Sequence, residues 1–186
     1  MIIADGSQFC GTSDFDFTNS GIDILGTTAY KWLLGGYGVG FFLFQNNILE
    51  QITPESYKKS ASISTYDASY INLRARFECG SMDTLAFGSL QHSLQYLSKI
   101  GMTNIQEQLQ KLSNYAKEEL SKMDLLEESV MQREHHSSIL TILKDQKTHQ
   151  QLLNNDIITT YRENGIRVSI HFYNTIEDIQ KLLISM

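Results

Sequence analysis

The sequence predicts an α/β fold, and three observations support this prediction. Apolar residues make up 41% and charged residues 19% of the 186 residues, a balance that allows a buried core. Short β-rich runs, such as residues 39–44, follow turn-forming glycines. Later segments have the three- and four-residue periodicity of amphipathic helices. A chain of this length corresponds to about one domain, or to two small ones.

Strands are expected near the start of the chain and again in its second half. Residues 1–4 form an apolar run that leads directly into a turn. Further strands are predicted at 126–132 and at 137–143. Apolar residues alternate with polar ones over 166–172, which is the period-two pattern of a half-buried strand.

Helices are expected at 84–97, from residue 103, near 148–155 and after residue 175. The second of these has the clearest apolar stripe, because its apolar residues recur at steps of three and four. Thr103 and Gln106 have the spacing of a capping box at its start. Thr175 is the expected N-cap of the last helix. We place a domain boundary near residue 100.

Composition and charge narrow the classes of function. Fifteen Lys and Arg residues against 21 Asp and Glu residues give a formal net charge of −6. A nucleic-acid-binding protein needs surplus cations, so we expect no nucleic-acid partner and no anionic membrane surface. The longest apolar runs fall far short of the roughly 20 residues that a membrane span needs. Two cysteines cannot build a disulfide scaffold, which predicts a reducing, cytoplasmic location.

Lys31 is the most informative residue for chemistry. It is the only Lys or Arg in residues 1–57, a stretch that contains six acids, and its neighbours are aromatic and apolar. Burial among such neighbours would disfavour the ammonium and leave a nucleophilic amine that can form a Schiff base. The alternative is a lysine at a strand end whose stem packs on apolar surface while its charge stays in water.

Asp5 and Gln8 form a second candidate group. Asp5 directly follows the first apolar run, so its carboxylate should lie at the carboxyl end of a strand, where open α/β sheets bind ligands. An Asp-x-x-Gln turn places an anion and an amide close together. The alternative is that this turn binds no ligand and is simply a turn closed by a local hydrogen bond of the Asp5 side chain.

Together with other ordered blocks, these residues resemble the cofactor stretch of the class V aminotransferases. The blocks are Asp5-Gly6-Ser7-Gln8, Gly11, Asp16, 21–23, 28–33, 35–41, 76–81 and 166–179. This family of fold type I includes cysteine desulfurases, kynureninase and isopenicillin N epimerase, and its members use pyridoxal phosphate (PLP). The resemblance implies the remaining part of the large PLP-binding domain in 1–100 and the small C-terminal α/β domain in 101–186.

The resemblance also implies how the cofactor ring would be held. Lys31 would form the internal aldimine with PLP and later move the α-proton of an amino-acid substrate. Asp5 would pair with the pyridine nitrogen and keep it protonated. Gln8 would form a hydrogen bond with the phenolic oxygen of the ring.

The phosphate and the substrate would be bound by residues elsewhere in the matching blocks. Thr28 and Tyr30 fall where the family places side chains near the cofactor phosphate. Ser81 falls at a position that reaches the phosphate across the dimer in many members. Arg167 would bind the substrate carboxylate as a two-pronged donor, and its alternative is an exposed strand arginine.

Only the C-terminal half of the family's pattern is present. The other half carries the Gly- and Thr-containing loop that holds the phosphate and the aromatic or His residue that stacks on the ring. We therefore expect weak cofactor binding and slow turnover by the isolated chain. We also expect either a homodimer or association with a chain that supplies the N-terminal half. The alternative is a truncated, catalytically incompetent relative that acts at most as a structural or interaction module.

Two classes of chemistry are disfavoured by residues that are missing. Cysteine desulfurases need a Cys in a mobile loop before the substrate-binding Arg, and residues 137–165 contain none. Cys10 and Cys79 lie elsewhere, so desulfurase activity is not expected, whereas transamination, racemisation and elimination stay open. No metal site is expected, because the adjacent His135 and His136 would face opposite ways on a strand.

Overall fold

The computed structural model describes residues 1–49, 51–52, 77–78 and 82–186. Contacts divide the chain into two compact units, Met1–Lys99 and Ile100–Met186. Each unit combines a three-stranded sheet with helices, which confirms the predicted α/β class. Within the described ranges, no helix is both long and apolar enough to cross a membrane.

The sheet of the first unit has the strand order β1-β2-β3. Its strands are β1 (Ile3–Asp5), β2 (Ile24–Thr28) and β3 (Gly40–Phe44). β1 runs parallel to β2, and β3 runs antiparallel to β2. The first four residues of β2 are buried because this strand has a neighbour on each side, whereas β1 is largely exposed. The strands predicted at 1–4 and 39–44 are confirmed, with small shifts at their ends.

One long helix completes the first unit. Helix α1 spans Thr84–Ile100, which confirms the predicted helix and extends it by three residues. The carboxylate of Asp83 caps its start by accepting the N–H groups of Leu85 and Ala86, at 2.9 and 3.1 Å. The inner face of α1 packs through Ala86 and Leu90 against Ala29, which follows β2, and against Val39 and Phe41 at the start of β3. Between β3 and α1 lies a 3₁₀ turn at Asn46–Ile48.

The second unit alternates helices and short strands. Its elements are α2 (Met102–Lys122), α3 (Glu128–Met131), β4 (Ile139–Ile142), α4 (Gln146–Asn154), β5 (Thr160–Arg162), β6 (Gly165–Ser169) and α5 (Ile176–Ile184). The sheet has the order β4-β6-β5, and both pairings are antiparallel. Its core joins the apolar stripe of α2 to alternate residues of β4 and β6. The predicted stripe and the predicted strands at 137–143 and 166–172 are confirmed, although β6 ends at Ser169.

Two local predictions are wrong. Helix α2 begins at Met102 with Gly101 as N-cap, at φ 90°, so Thr103 lies inside the first turn and does not cap it. Residues 126–132 form no strand, because Glu127 is the extended N-cap of the short helix α3. That helical turn packs Val130 and Met131 against the core, which alternation along a strand would not do.

Candidate functional site

Asp5 ends β1 and anchors the turn that follows it. Its Oδ1 accepts the backbone N–H of Ser7 at 2.8 Å. Hydrogen bonds from the hydroxyl and the backbone of Ser7 lower the pKa of the Asp5 carboxyl, and the positive charge of Lys31 lowers it further. The exposed carboxylate is therefore ionised at neutral pH, and Lys31 lies within electrostatic reach of it.

Thr28 ends β2 at the same edge of the sheet. Its backbone N–H donates to the Ser7 hydroxyl at 3.3 Å, and the Gly6 N–H donates to the Gly26 carbonyl at 2.7 Å. These bonds hold the turn after β1 against the end of β2. The Thr28 hydroxyl oxygen is buried and has no hydrogen-bond partner among the described residues. A buried hydroxyl without a partner costs about 1–3 kcal/mol, so this atom is suited to accept a ligand as its partner.

An open cleft of about 680 Å³ lies against this part of the sheet. Asp5, Ser7, Thr27 and Thr28 form the polar part of its lining, and Phe42 contributes to the apolar part. A Cβ at Gly26 would stand 2.5 Å from Cε1 of Phe42, so the glycine lets that ring lie over the central strand. The volume falls within the range of small-molecule sites, roughly 300–1,000 Å³.

Lys31 lies in the turn directly after β2. The turn is closed by a hydrogen bond from the Leu34 N–H to the Lys31 carbonyl, at 3.0 Å. The Lys31 side chain is half-exposed, and its Nζ lies 5.9 Å from the centroid of the Tyr30 ring. Tyr30 in turn stacks on Tyr37, with 5.0 Å between the ring centroids. This exposure agrees with the alternative in which the ammonium of Lys31 stays in water at a strand end. Lys31 nevertheless lies near Asp5, the anion that the family resemblance pairs with the cofactor.

Gln8 contacts the same turn through its side-chain amide. The Trp32 indole N–H donates to Oε1 of Gln8 at 2.9 Å. Gly11 has a φ of 97°, and a Cβ there would stand 2.8 Å from the Trp32 carbonyl oxygen. The loop after β1 therefore packs directly on the backbone next to Lys31, and a glycine makes that approach possible.

Arg167 belongs to the second unit and is described within it. It lies on the central strand β6, where it pairs with Thr141 of β4 and Thr160 of β5. Its neighbours Ile166 and Val168 are buried, so the half-exposed Arg167 lies on the opposite face of the sheet. The guanidinium has no hydrogen bond or ion pair with another described residue. Ser81, the remaining predicted site residue, lies outside the described residues.

The structure adds two residues that the sequence did not single out for the site. Ser7 bonds both Asp5 and Thr28, and Trp32 bonds Gln8. The signal for Ser7 was present, because a serine two residues after an aspartate is typical of an Asx turn. No comparable pattern pointed to the bond of Trp32, since it joins residues 24 positions apart.

The described cysteine shows no sign of activation. Cys10 is half-buried, and burial raises the pKa of its thiol, so the nucleophilic thiolate is disfavoured. Cys79 lies outside the described residues. Among the described residues, no group of three or more His, Cys, Asp or Glu side chains could hold a metal ion.

The family model described as Aminotransferase class-V matches residues 1–182 of this chain. The match covers both units and nearly the whole sequence. The chain belongs to the class V aminotransferase family.

Individual relatives agree with this assignment and show how much of their length is matched. An uncharacterized aminotransferase, YcbU of Bacillus subtilis (strain 168), is 24% identical to this chain. The aligned region covers 97% of this chain and 49% of YcbU. The apo structure of a cysteine desulfurase from Thermococcus onnurineus NA1 superposes with a TM-score of 0.78 at 17% identity. That superposition covers 98% of this chain and 50% of the desulfurase.

A second solved structure contains the cofactor. It is a mutant of C-DES with glycine covalently linked to its PLP cofactor, and it superposes with a TM-score of 0.76 at 21% identity. This match covers 95% of our chain and 49% of C-DES. The chain thus has the fold of part of a PLP-dependent transferase and spans about half the length of the curated relatives it matches.

Proposed function

We propose that this chain supplies the lysine-bearing part of a PLP-dependent enzyme that acts on an amino acid. One observation carries the proposal: the ionised Asp5 and Thr28, whose hydroxyl has no described partner, line one cleft at the carboxyl ends of β1 and β2, and Lys31 in the next turn lies close enough to lower the pKa of Asp5. Each group suits one part of PLP, namely the aldehyde, the pyridine nitrogen and the phosphate. When bound, PLP supplies an electron sink for the carbanion formed at the substrate Cα.

Lys31 provides the covalent link. Its amine nitrogen would bond to the aldehyde carbon of PLP, with the aldehyde oxygen lost as water. Once an amino-acid substrate had replaced it on that carbon, the freed amine would hold and move the substrate's α-proton. The half-exposed position of Lys31 in a turn leaves its side chain room for both tasks.

The other residues hold and orient the cofactor and the substrate. Asp5 is ionised, so it favours a protonated pyridine nitrogen beside it. The Thr28 hydroxyl and the exposed Tyr30 hydroxyl donate to the phosphate, and Ser81 is proposed to reach it from a partner subunit. Arg167, with no described partner of its own, binds the substrate carboxylate.

The reaction is proposed to be one that needs no cysteine on the enzyme. Residues 137–165 contain no Cys, and burial keeps the Cys10 thiol protonated. This excludes the persulfide-forming step of a desulfurase from the proposal. Transamination, racemisation and elimination all begin with loss of the α-proton, and they share the residues named above.

A second chain is proposed to complete the site. The exposed apolar side chains of β1 and β3 include Ile3 at 62% and Phe42 at 63% exposure, and both line the cleft. Such a surface is typical of a contact with another polypeptide. That polypeptide is either a copy of this chain or one that supplies the rest of the family's length.

Reductive trapping tests the proposal. PLP is added to the pure chain, the mixture is reduced with borohydride, and pyridoxyl groups are located by peptide mass spectrometry. We expect the label on Lys31, and less of it in an Asp5→Asn variant. Lys111, on the second unit, is the internal control for non-specific labelling.

Equal labelling of Lys31 and Lys111 would overturn the proposal. The chain would then be better described as a catalytically incompetent relative with a structural or interaction role. A Lys31→Arg variant keeps the charge but cannot form the link. Labelling elsewhere in that variant gives the background that must be subtracted.

A further inference from the structure

We infer that Trp32 is a positioning residue for the cofactor, acting through Gln8. Its indole N–H holds the side-chain amide of Gln8 in one orientation, with the amide oxygen turned to the indole. The amide NH₂ group is then the part of Gln8 that is available to the phenolic oxygen of PLP. This inference rests on the proposed function, because it concerns the same cofactor.

The chemistry of the two groups makes the orientation one-sided. An indole N–H can only donate a hydrogen bond, whereas a glutamine amide has one accepting and one donating end. The bond of 2.9 Å from Trp32 therefore occupies Oε1 of Gln8, and Nε2 has no partner among the residues that the structure describes. An exposed glutamine without this bond would present either end by rotating about its last torsion.

The donor is held rigidly by the surrounding fold. Trp32 is only 4% exposed, so its large side chain is enclosed. Its carbonyl lies so close to Gly11 that no side chain fits there. The next carbonyl, that of Leu33, accepts a hydrogen bond from the buried hydroxyl of Ser93 on α1. The orientation of the Gln8 amide is therefore imposed by the scaffold and not by the exposed residue itself.

The orientation matters because the phenolic oxygen carries negative charge when PLP is linked to a lysine. A hydrogen-bond donor stabilises that charge, whereas a carbonyl oxygen in the same place would repel it. Stabilising the phenolate weakens its hold on the proton of the adjacent imine nitrogen. Loss of the donor should therefore raise the pH at which the bound cofactor changes its absorbance.

The first experiment observes the hydrogen bond without cofactor. The chain contains one Trp, so ¹⁵N labelling gives a single indole N–H cross-peak. We expect this peak to move upfield in Gln8→Ala, whose exposed site tolerates truncation, and to stay near its wild-type position in Gln8→Glu, which keeps an acceptor. An unchanged peak in Gln8→Ala would show that the bond does not form and would overturn the inference.

The second experiment measures the absorbance of the PLP complex against pH. Trp32→Phe keeps the buried ring but lacks the N–H, and we expect the midpoint to rise by about half to one pH unit, the effect of losing one hydrogen bond. Gln8→Ala should raise it at least as far. The double variant should match Gln8→Ala alone, because Trp32 acts only through Gln8.

Controls separate positioning from general loosening of the turn. Ser93→Ala loosens the same turn but keeps both the indole N–H and the Gln8 amide, so it should shift the midpoint less than Trp32→Phe does. If Trp32→Phe fails to fold, Gln8→Glu takes its place, because it retains the indole bond but lacks the NH₂ group and should raise the midpoint.

The outcomes distinguish this inference from the proposed function. If the wild-type chain forms no link at Lys31, the proposed function fails and the inference fails with it. If the link forms but the midpoint is the same in wild type and Trp32→Phe, only the inference is overturned. Additive shifts in the double variant would also overturn it, because they would show that Trp32 acts independently of Gln8.

Discussion

Among single residues, Thr28 is expected to affect two quantities in opposite ways: its hydroxyl lowers the stability of the cofactor-free chain and raises its affinity for PLP. Its buried hydroxyl has no partner among the described residues. Thr28→Val removes the hydroxyl at nearly constant shape. We expect the cofactor-free chain to gain up to about 1 kcal/mol in free energy of unfolding, because a desolvated group is removed. We expect PLP affinity to fall by roughly fivefold, as the loss of one hydrogen bond predicts.

Chemical denaturation and absorbance titration with PLP measure the two effects. Thr159→Val is the matched control, because the Thr159 hydroxyl in the second unit is also buried without a described partner. It should stabilise the chain without changing PLP affinity. A Thr28→Val protein with wild-type affinity would show that this hydroxyl does not contact the cofactor.

His171 should give the second unit a pH-dependent stability. Burial lowers the pKa of its imidazole to about 4, from 6.5, because the charged form is poorly solvated there. The unfolded chain therefore binds more protons between these values. The stabilisation is fully present above pH 6.5 and is lost as the pH falls through about 4.

Thermal unfolding of the full chain between pH 4 and 7 tests this. His171→Asn is the useful variant, because its side-chain oxygen can replace Nδ1, which accepts the Phe172 N–H at 3.0 Å. The stacked ring of Tyr173 and the carboxamide of Asn174 are the neighbouring polar groups. The variant should lose less stability on acidification, and equal pH dependence in the two proteins would contradict the assignment.

The residues of the site were predictable to different degrees. Lys31 and Asp5 could be found from the sequence, because an isolated lysine and a strand-end aspartate are local features. Two features could not be found from the sequence: the hydrogen bond between Trp32 and Gln8, and the buried Thr28 hydroxyl without a described partner. Both depend on how the turn after β1 packs on the turn after β2, which is a tertiary contact.

Among helices and strands, repeating apolar patterns were predicted better than the residues at which each element begins and ends. The stripe of α2 and the alternation of β6 each extend over more than one turn or pleat, and both were confirmed. The predicted start of α2 was wrong because Gly101, at φ 90°, is the N-cap, two residues before the predicted threonine cap. Residues 126–132 were wrong because a short apolar run fits one helical turn as well as a strand.

Helix α5 has the one predicted cap that the structure confirms. The Thr175 hydroxyl accepts the Asp178 N–H at 3.2 Å, and the Asp178 carboxylate accepts the Thr175 N–H at 3.0 Å. Thr175→Ala should lower the free energy of unfolding by about 1 kcal/mol, because the N–H of Asp178 loses its partner. Thr175→Ser keeps the hydroxyl and should retain most of the stability in the same denaturation experiment. Equal stability of the alanine and wild-type proteins would contradict this role.

At the scale of the whole molecule, the chain spans about half of its curated relatives, yet the lysine, the anion and the hydroxyl of the proposed site lie in one unit. The other groups of the proposal, Arg167 and a phosphate contact from a second chain, lie outside that unit. On this proposal, the site is complete only when a second chain contributes to it. The need for a second chain could be predicted from this sequence only through its resemblance to the family.

The exposed side of the first sheet should make the chain associate. β1 has one neighbour in the described sheet, and Ile3 is 62% exposed beside the cleft. An open apolar strand edge favours pairing with another chain, and a lysine on it opposes pairing. Sedimentation velocity should therefore show wild-type species heavier than 21.2 kDa, and Ile3→Lys should shift them toward that mass. Ile158→Lys is the matched control, because Ile158 is 91% exposed in the second unit, and it should leave the distribution unchanged. A wild-type chain that sediments only at 21.2 kDa would contradict self-association, and the proposed partner would then be a different chain.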